Sequence, residues 1–207
     1  LVSKAGLGKD VYDVMNQAFR KVRGGIGMAT VGANAVFAAV TGSSIASASV
    51  FTRVSVPEML RLDYNTRFAV GVVAGSSVLG MIIPPSAMLI IYSFVAEVSV
   101  GHMFIAGIIP GIMLALAYIV GIAIMGRLSP AWVGGRIEDI PDDEALGWGQ
   151  IFAKTGPILA LIFIVLGGIY TGWLTPVEAG AAGSLAALVI AVLRMRMTAG
   201  SFWEALL

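Results

Sequence analysis

The 207 residues contain no cysteine and one histidine. No disulfide framework, thiolate metal site or thiol nucleophile is available. The lone His102 has no second histidine or cysteine to share a metal with and is expected in a loop. Charge is scarce as well. Asp, Glu, Lys and Arg make up 12% of the chain, against about 25% in soluble domains. The long apolar runs hold no acidic residue, so an intramembrane carboxylate relay has no candidate. A phosphate-binding loop is missing too: Gly6-Leu7-Gly8-Lys9-Asp10 lacks the Walker spacing and the Ser or Thr after Lys. ATP hydrolysis is excluded on that ground.

Hydrophobic residues make up 58% of the chain, and 26 residues are glycine. That balance defines an integral membrane protein, in which small residues let helices approach closely. The predicted fold is all-α and polytopic. The apolar runs are Gly24–Thr52, Phe68–Ala96, Met103–Gly126, Thr155–Tyr170 and Ala179–Leu193. A spanning helix needs about 20 residues. Before the first run, residues 1–23 carry apolar positions at Val11, Val14, Met15, Ala18, Phe19 and Val22, which predicts an amphipathic helix at the membrane interface.

The distribution of charge says more than the net +1. All 13 Lys and Arg fall between Lys4 and Arg23, Arg53 and Arg67, Arg127 and Lys154, or at Arg194 and Arg196. With one crossing for each run after residue 67, the last three groups share one side, cytoplasmic by the positive-inside rule. The first group joins them if Gly24–Thr52 enters the membrane and returns. Its centre is Thr41-Gly42-Ser43-Ser44, a helix-weakening knot. A re-entrant helical hairpin over 24–52 is therefore expected, followed by a linker helix over 53–67.

Phe68–Ala96 carries its own interruption. Pro84-Pro85 removes two backbone donors and must break or kink the helix. Freed carbonyls at membrane depth need protein, water or an ion as partners. The expected organisation is an interfacial helix (1–23), a transport-domain part (24–96), then further spans (97–207) around a polar cytoplasmic loop (127–154). Trp132, Trp148, Trp173 and Trp203 lie near run ends, as an interfacial belt would. Thr175-Pro176-Val177-Glu178 predicts a capping box with proline at the first helical position, and Ser55-Val56-Pro57-Glu58 a similar one.

The chemistry left to such a chain is coordination. Serines inside the membrane could suggest an intramembrane protease, but no base falls within their reach. An unwound tip at Thr41–Ser44 exposes carbonyls and hydroxyls, the oxygen ligands that a hard cation such as Na+ takes. A half-helix starting near Ser44 offers free N–H groups to an anion. The candidate ion-binding residues are Thr41, Gly42, Ser43 and Ser44, with Gly75, Ser76, Ser77, Pro84 and Pro85 completing the wall. Asn34 and Ser47 are candidate substrate contacts, Asn34 also being a natural interhelical hydrogen-bond partner.

Several motifs carry a family resemblance. Gly24-Gly25-Ile26, Ala39-Val40-Thr41-Gly42-Ser43-Ser44-Ile45-Ala46-Ser47, Gly80-Met81-Ile82-Ile83-Pro84-Pro85-Ser86, Phe104-Ile105-Ala106-Gly107-Ile108-Ile109-Pro110-Gly111 and Gly167-Gly168-Ile169-Tyr170-Thr171-Gly172 with Thr175-Pro176-Val177-Glu178-Ala179 run in family order. They resemble the large membrane subunit of tripartite ATP-independent periplasmic (TRAP) transporters. Where many members carry Ala-Asp after the tip, this chain has Ala46-Ser47.

The resemblance implies an elevator-type secondary transporter in the bacterial inner membrane, not an enzyme. Na+ as coupling ion would drive uptake of an organic acid. A periplasmic substrate-binding protein would deliver it, and a small membrane subunit would brace the scaffold. No cofactor and no nucleic acid is implied. The sequence begins at Leu1 and ends in Ser201–Leu207, which reads as the start of another helix. It is expected to be a piece lacking the first helices and the second inverted repeat. Another sodium-coupled carboxylate carrier of the same plan, or a non-transporting membrane scaffold, would share most of these features.

Overall fold

A computed structural model describes residues 6–133 and 146–194. Among the described residues all regular structure is helical. The elements are α1 (Leu7–Phe19), α2 (Gly25–Thr41), α3 (Ser44–Arg61), α4 (Thr66–Ser77), α5 (Leu79–Ile82), α6 (Ala87–Val95), α7 (Val100–Leu128), α8 (Pro130–Val133), α9 (Trp148–Tyr170) and α10 (Pro176–Leu193). Helices α7, α9 and α10 are long and apolar enough to cross a bilayer. The α4–α5 segment and α6 together make a fourth apolar unit, bent by 44°. The chain is thus built as a polytopic membrane protein.

The chain reverses at Gly42-Ser43, so α2 and α3 form a helical hairpin. Phe37, five residues before the turn, and Phe51, eight after it, meet edge to face with ring centroids 5.6 Å apart. Edge-to-face contact suits the ring quadrupoles. At 17 residues, α2 reaches about 26 Å, short of a hydrocarbon core of about 30 Å.

Helix α3 continues unbroken to Arg61. The expected linker over 53–67 is its second half plus a short turn, not a separate helix. The capping box expected at Ser55–Glu58 does not form, because those residues lie inside α3. Glu58 instead pairs with Arg61, Arg61 Nη2 donating to Oε1 at 2.6 Å. Pro57 is tolerated because it sits on the exposed side of the helix, where an unpaired carbonyl can meet solvent or headgroups. By contrast, Thr175 and Glu178 form the predicted capping box at the start of α10, with Pro176 in the first turn.

The apolar stripe of α1 is packed on the hairpin. Leu7, Val11 and Tyr12 are buried, Gly8 sits against Val50 and Phe37, and Met15 lies over Gly32. Its polar side faces α9 and α10. Asp13 pairs with Lys154 and Asp10 with Arg194. Arg194 also donates to the Ala153 carbonyl. The Gln17 amide bridges the Leu146 backbone, accepting from its N–H at 2.7 Å and donating to its carbonyl at 3.0 Å.

Trp132, Trp148 and Trp173 are exposed and lie near helix ends. His102 falls in the first turn of α7 rather than in a loop. The acid-rich part of the 127–154 loop, with Arg196, Trp203 and the Ser201–Leu207 segment, lies outside the described residues.

Candidate functional site at the hairpin tip

Thr41-Gly42-Ser43-Ser44 stops one helix and starts another. Gly42 takes a left-handed conformation (φ +59°) and its N–H closes α2 on the Ala38 carbonyl at 2.8 Å. A residue with a side chain pays a penalty there that glycine does not. Ser43 then turns to extended backbone, and its hydroxyl accepts the Ala46 N–H at 3.3 Å as the N-cap of α3. Thr41 is less open than its position suggests, since its hydroxyl donates to the Phe37 carbonyl at 3.0 Å.

The second interruption faces this turn. Pro85 has no N–H to offer the Met81 carbonyl, four residues back. The Ser86 hydroxyl takes that acceptor at 2.6 Å, and Ser86 also N-caps α6. The Pro84–Pro85 peptide bond is cis. The two breaks then touch. The Ala87 N–H donates to the Gly42 carbonyl at 3.4 Å, and a Cβ on Gly42 would run into the Pro85 carbonyl oxygen. On the other flank a Cβ on Gly80 would lie 2.8 Å from the Ser43 carbonyl carbon. The tip is wedged between Gly80 and Pro85, and the N-termini of α3 and α6 converge on it.

Deeper in the hairpin lies a buried polar group. Asn34 Nδ2 donates to Ser76 Oγ at 2.6 Å, and Ser76 Oγ donates to the Val72 carbonyl at 2.6 Å. Asn34 Oδ1, Ser47 Oγ and Ser55 Oγ are buried with no hydrogen-bond partner. An orphaned buried oxygen costs about 1–3 kcal/mol. Ser77 donates to the Ala74 carbonyl at 2.8 Å. A cavity of about 470 Å³ adjoins the tip. Thr41, Gly42, Pro85 and Ser86 line one side of it, Leu161, Val165 and Ile169 of α9 and Ser184 of α10 the other.

Of the residues expected at the site, the structure brings Thr41–Ser44 together with Pro85, with Ser47 in the first turn of α3. Asn34 and Ser76 are joined to each other. Gly75 faces Tyr118 of α7, away from the tip. Sequence reasoning missed Gly80, which seats the tip, Ser86, and the α9–α10 wall. The position of Ser86 directly after two prolines was the available signal for its role. Gly80 looks like any other small residue in its run, and the wall lies over 100 residues away in sequence.

A helical membrane protein in which an uncharged, unwound turn meets a proline break, beside a cavity, has the architecture of a transport permease. The chain belongs to the family described as tripartite ATP-independent periplasmic transporter, DctM component, whose family model matches residues 1–207. It is 33% identical over 191 residues to the C4-dicarboxylate TRAP transporter large permease protein DctM of Pseudomonas aeruginosa, covering 92% of this chain and 43% of the relative. It is 35% identical over 172 residues to the protein of the same description in Vibrio cholerae (82% and 36%). It is also 30% identical over 211 residues to the 2,3-diketo-L-gulonate TRAP transporter large permease protein YiaN of Escherichia coli (100% and 48%). The chain spans less than half the length of these relatives. They are transport permeases, not enzymes.

Proposed function

We propose that this chain forms one half of the ion and substrate site of an elevator-type TRAP large permease subunit. On this reading α2–α3 is a re-entrant hairpin, and the subunit couples Na+ entry to uptake of an organic acid across the bacterial inner membrane. A periplasmic substrate-binding protein and a small membrane subunit would complete the transporter.

The observation that carries this is the seating of the hairpin tip in the proline break. It gathers neutral oxygens and two helix N-termini at one point without a charged side chain. Such donors suit a weakly charged hard cation. Ser43, Ser44 and the Thr41–Gly42 carbonyls are the residues that would hold Na+. The unpartnered oxygens of Asn34 and Ser47 fit a coordinating role, since an ion or water would satisfy them. The converging N-termini of α3 and α6 favour a carboxylate in the adjoining cavity. The names of the three relatives, two of C4-dicarboxylate permeases and one of a 2,3-diketo-L-gulonate permease, support an organic acid as the substrate class.

The test is Ser43→Ala with Ser44→Ala in the permease carrying this chain, reconstituted with its partners in proteoliposomes. Losing one ligand hydroxyl of charge-assisted type costs about 1.5–3 kcal/mol. The expected result is a sodium half-saturation raised roughly tenfold or more, with the protein still in the membrane. Unchanged sodium activation in the double variant rejects the site.

A further inference from the structure

A second groove, of about 320 Å³, runs between α4 and α7 and shares no lining residue with the tip cavity. Its floor is Val31 of α2, its walls include Gly71 and Val72 on one side and Tyr118 and Gly121 on the other, and Arg67 and Trp132 stand at one end. Arg67 and Trp132 are both exposed, and the rest of the lining is almost wholly apolar.

We propose that this groove binds one acyl chain of an anionic glycerophospholipid, with the phosphate on Arg67. Charge and polarity select the occupant: an open, almost wholly apolar groove with one cation at its end complements an apolar chain that carries one anionic headgroup. From Arg67 to Gly75 the groove follows eight residues of α4, about 12 Å, which suits part of a lipid tail.

Polarity sets the orientation. The cation stands at one end only, beside an indole. Arg67 belongs to a basic group that the positive-inside rule puts on the cytoplasmic face. Basic pockets between membrane helices on that face recognise anionic headgroups. Width comes from the glycines, because a Cβ on Gly71 or Gly121 would have no atom within 4 Å. Those two positions form the walls without holding the fold together.

The experiment uses the permease carrying this chain, purified in detergent and titrated with dioleoyl phosphatidylglycerol or dioleoyl phosphatidylcholine. Bound lipids are counted by native mass spectrometry. Quenching of Trp132 by brominated versions of both lipids, with the other tryptophans replaced by phenylalanine, localises them. Phosphatidylglycerol is expected to bind more tightly and to quench Trp132. Arg67→Gln, a surface change that leaves the fold intact, should weaken phosphatidylglycerol about fivefold and leave phosphatidylcholine unchanged. Gly71→Leu or Gly121→Leu fills the groove and should lower occupancy by both lipids. Equal affinity for the two lipids, or quenching unmoved by Arg67→Gln and by both glycine variants, overturns the proposal. So does a crosslink from Gly71→Cys to another segment of the permease, which would show the groove filled by protein.

Discussion

At the hairpin tip the chain packs against itself by leaving side chains out; along the seam between α1 and α9–α10 it does so with charge. The tip is held by Gly42, Gly80 and backbone groups around Pro85, and no ionisable residue takes part. The seam is held by Asp10–Arg194, Asp13–Lys154 and the Gln17 amide. Burying an ion pair costs more than its attraction returns unless geometry is excellent or water remains near. The seam keeps some of that water, since the Arg194 side chain is 21% exposed and Lys154 26%. At the tip a local positive charge would compete with the proposed ion. On that proposal the neutral oxygens without a partner at the hairpin are the ones left for a cation.

Gly42→Ala tests this contrast hardest. The left-handed conformation costs a non-glycine residue about 1–2 kcal/mol, and the clash with Pro85 adds about 1–3 kcal/mol of overpacking. The expected sum is roughly 3 kcal/mol in thermal unfolding of the detergent-solubilised permease, with the tip displaced from the break. Gly71→Ala is the control. It meets open space and should be neutral or stabilise by about 0.5–1 kcal/mol. Equal effects at the two positions would mean that the tip is not wedged.

The seam should break unequally. In Asp10–Arg194 the Asp10 side chain is 4% exposed, and its loss leaves a largely buried guanidinium without its counter-charge. Asp10→Asn should cost about 2 kcal/mol, and a double-mutant cycle with Arg194→Gln should recover most of it as coupling. Asp13–Lys154 is more open on both sides, so Asp13→Asn should cost less than about 1 kcal/mol and weaken further in salt. A larger effect at Asp13 would reverse the assignment of the tighter clasp.

Legibility in the sequence follows the same division. The tip, the proline break and the Thr175 capping box depend on residue type within a few positions, and each could be read before the fold was known. So could the span of α7, from the length of its apolar run, and those of α9 and α10 once the uncharged flanks of their shorter runs are counted in. The seam could not, because its partners lie 129 to 184 residues apart and no spacing rule links them. Asn34–Ser76, 42 residues apart, was hidden for the same reason. The Ser55–Glu58 motif misled because α3 carries its buried face, with Phe51 and Met59, through Pro57. Tertiary burial outweighed the local stop.

A third kind of contact, charge on an exposed helix end, sharpens the comparison by its response to acid. At the start of α10 the Thr175 N–H donates to Glu178 Oε2 at 2.8 Å, and so does the Thr175 hydroxyl. Protonation would turn that carboxylate from a charged double acceptor into a weaker neutral one, so amide exchange in the first turn of α10 should quicken in acid, after correction for intrinsic rates. Glu178→Gln should abolish that dependence. Thr175→Ala should cost about 1 kcal/mol, a roughly fivefold faster exchange at neutral pH. The amides of Gly42 and Ala46 at the tip have no carboxylate beside them, so their protection should stay flat over the same range. Parallel acid responses at both places would show that the tip is tied to a titrating group, and its charge-free character would no longer stand.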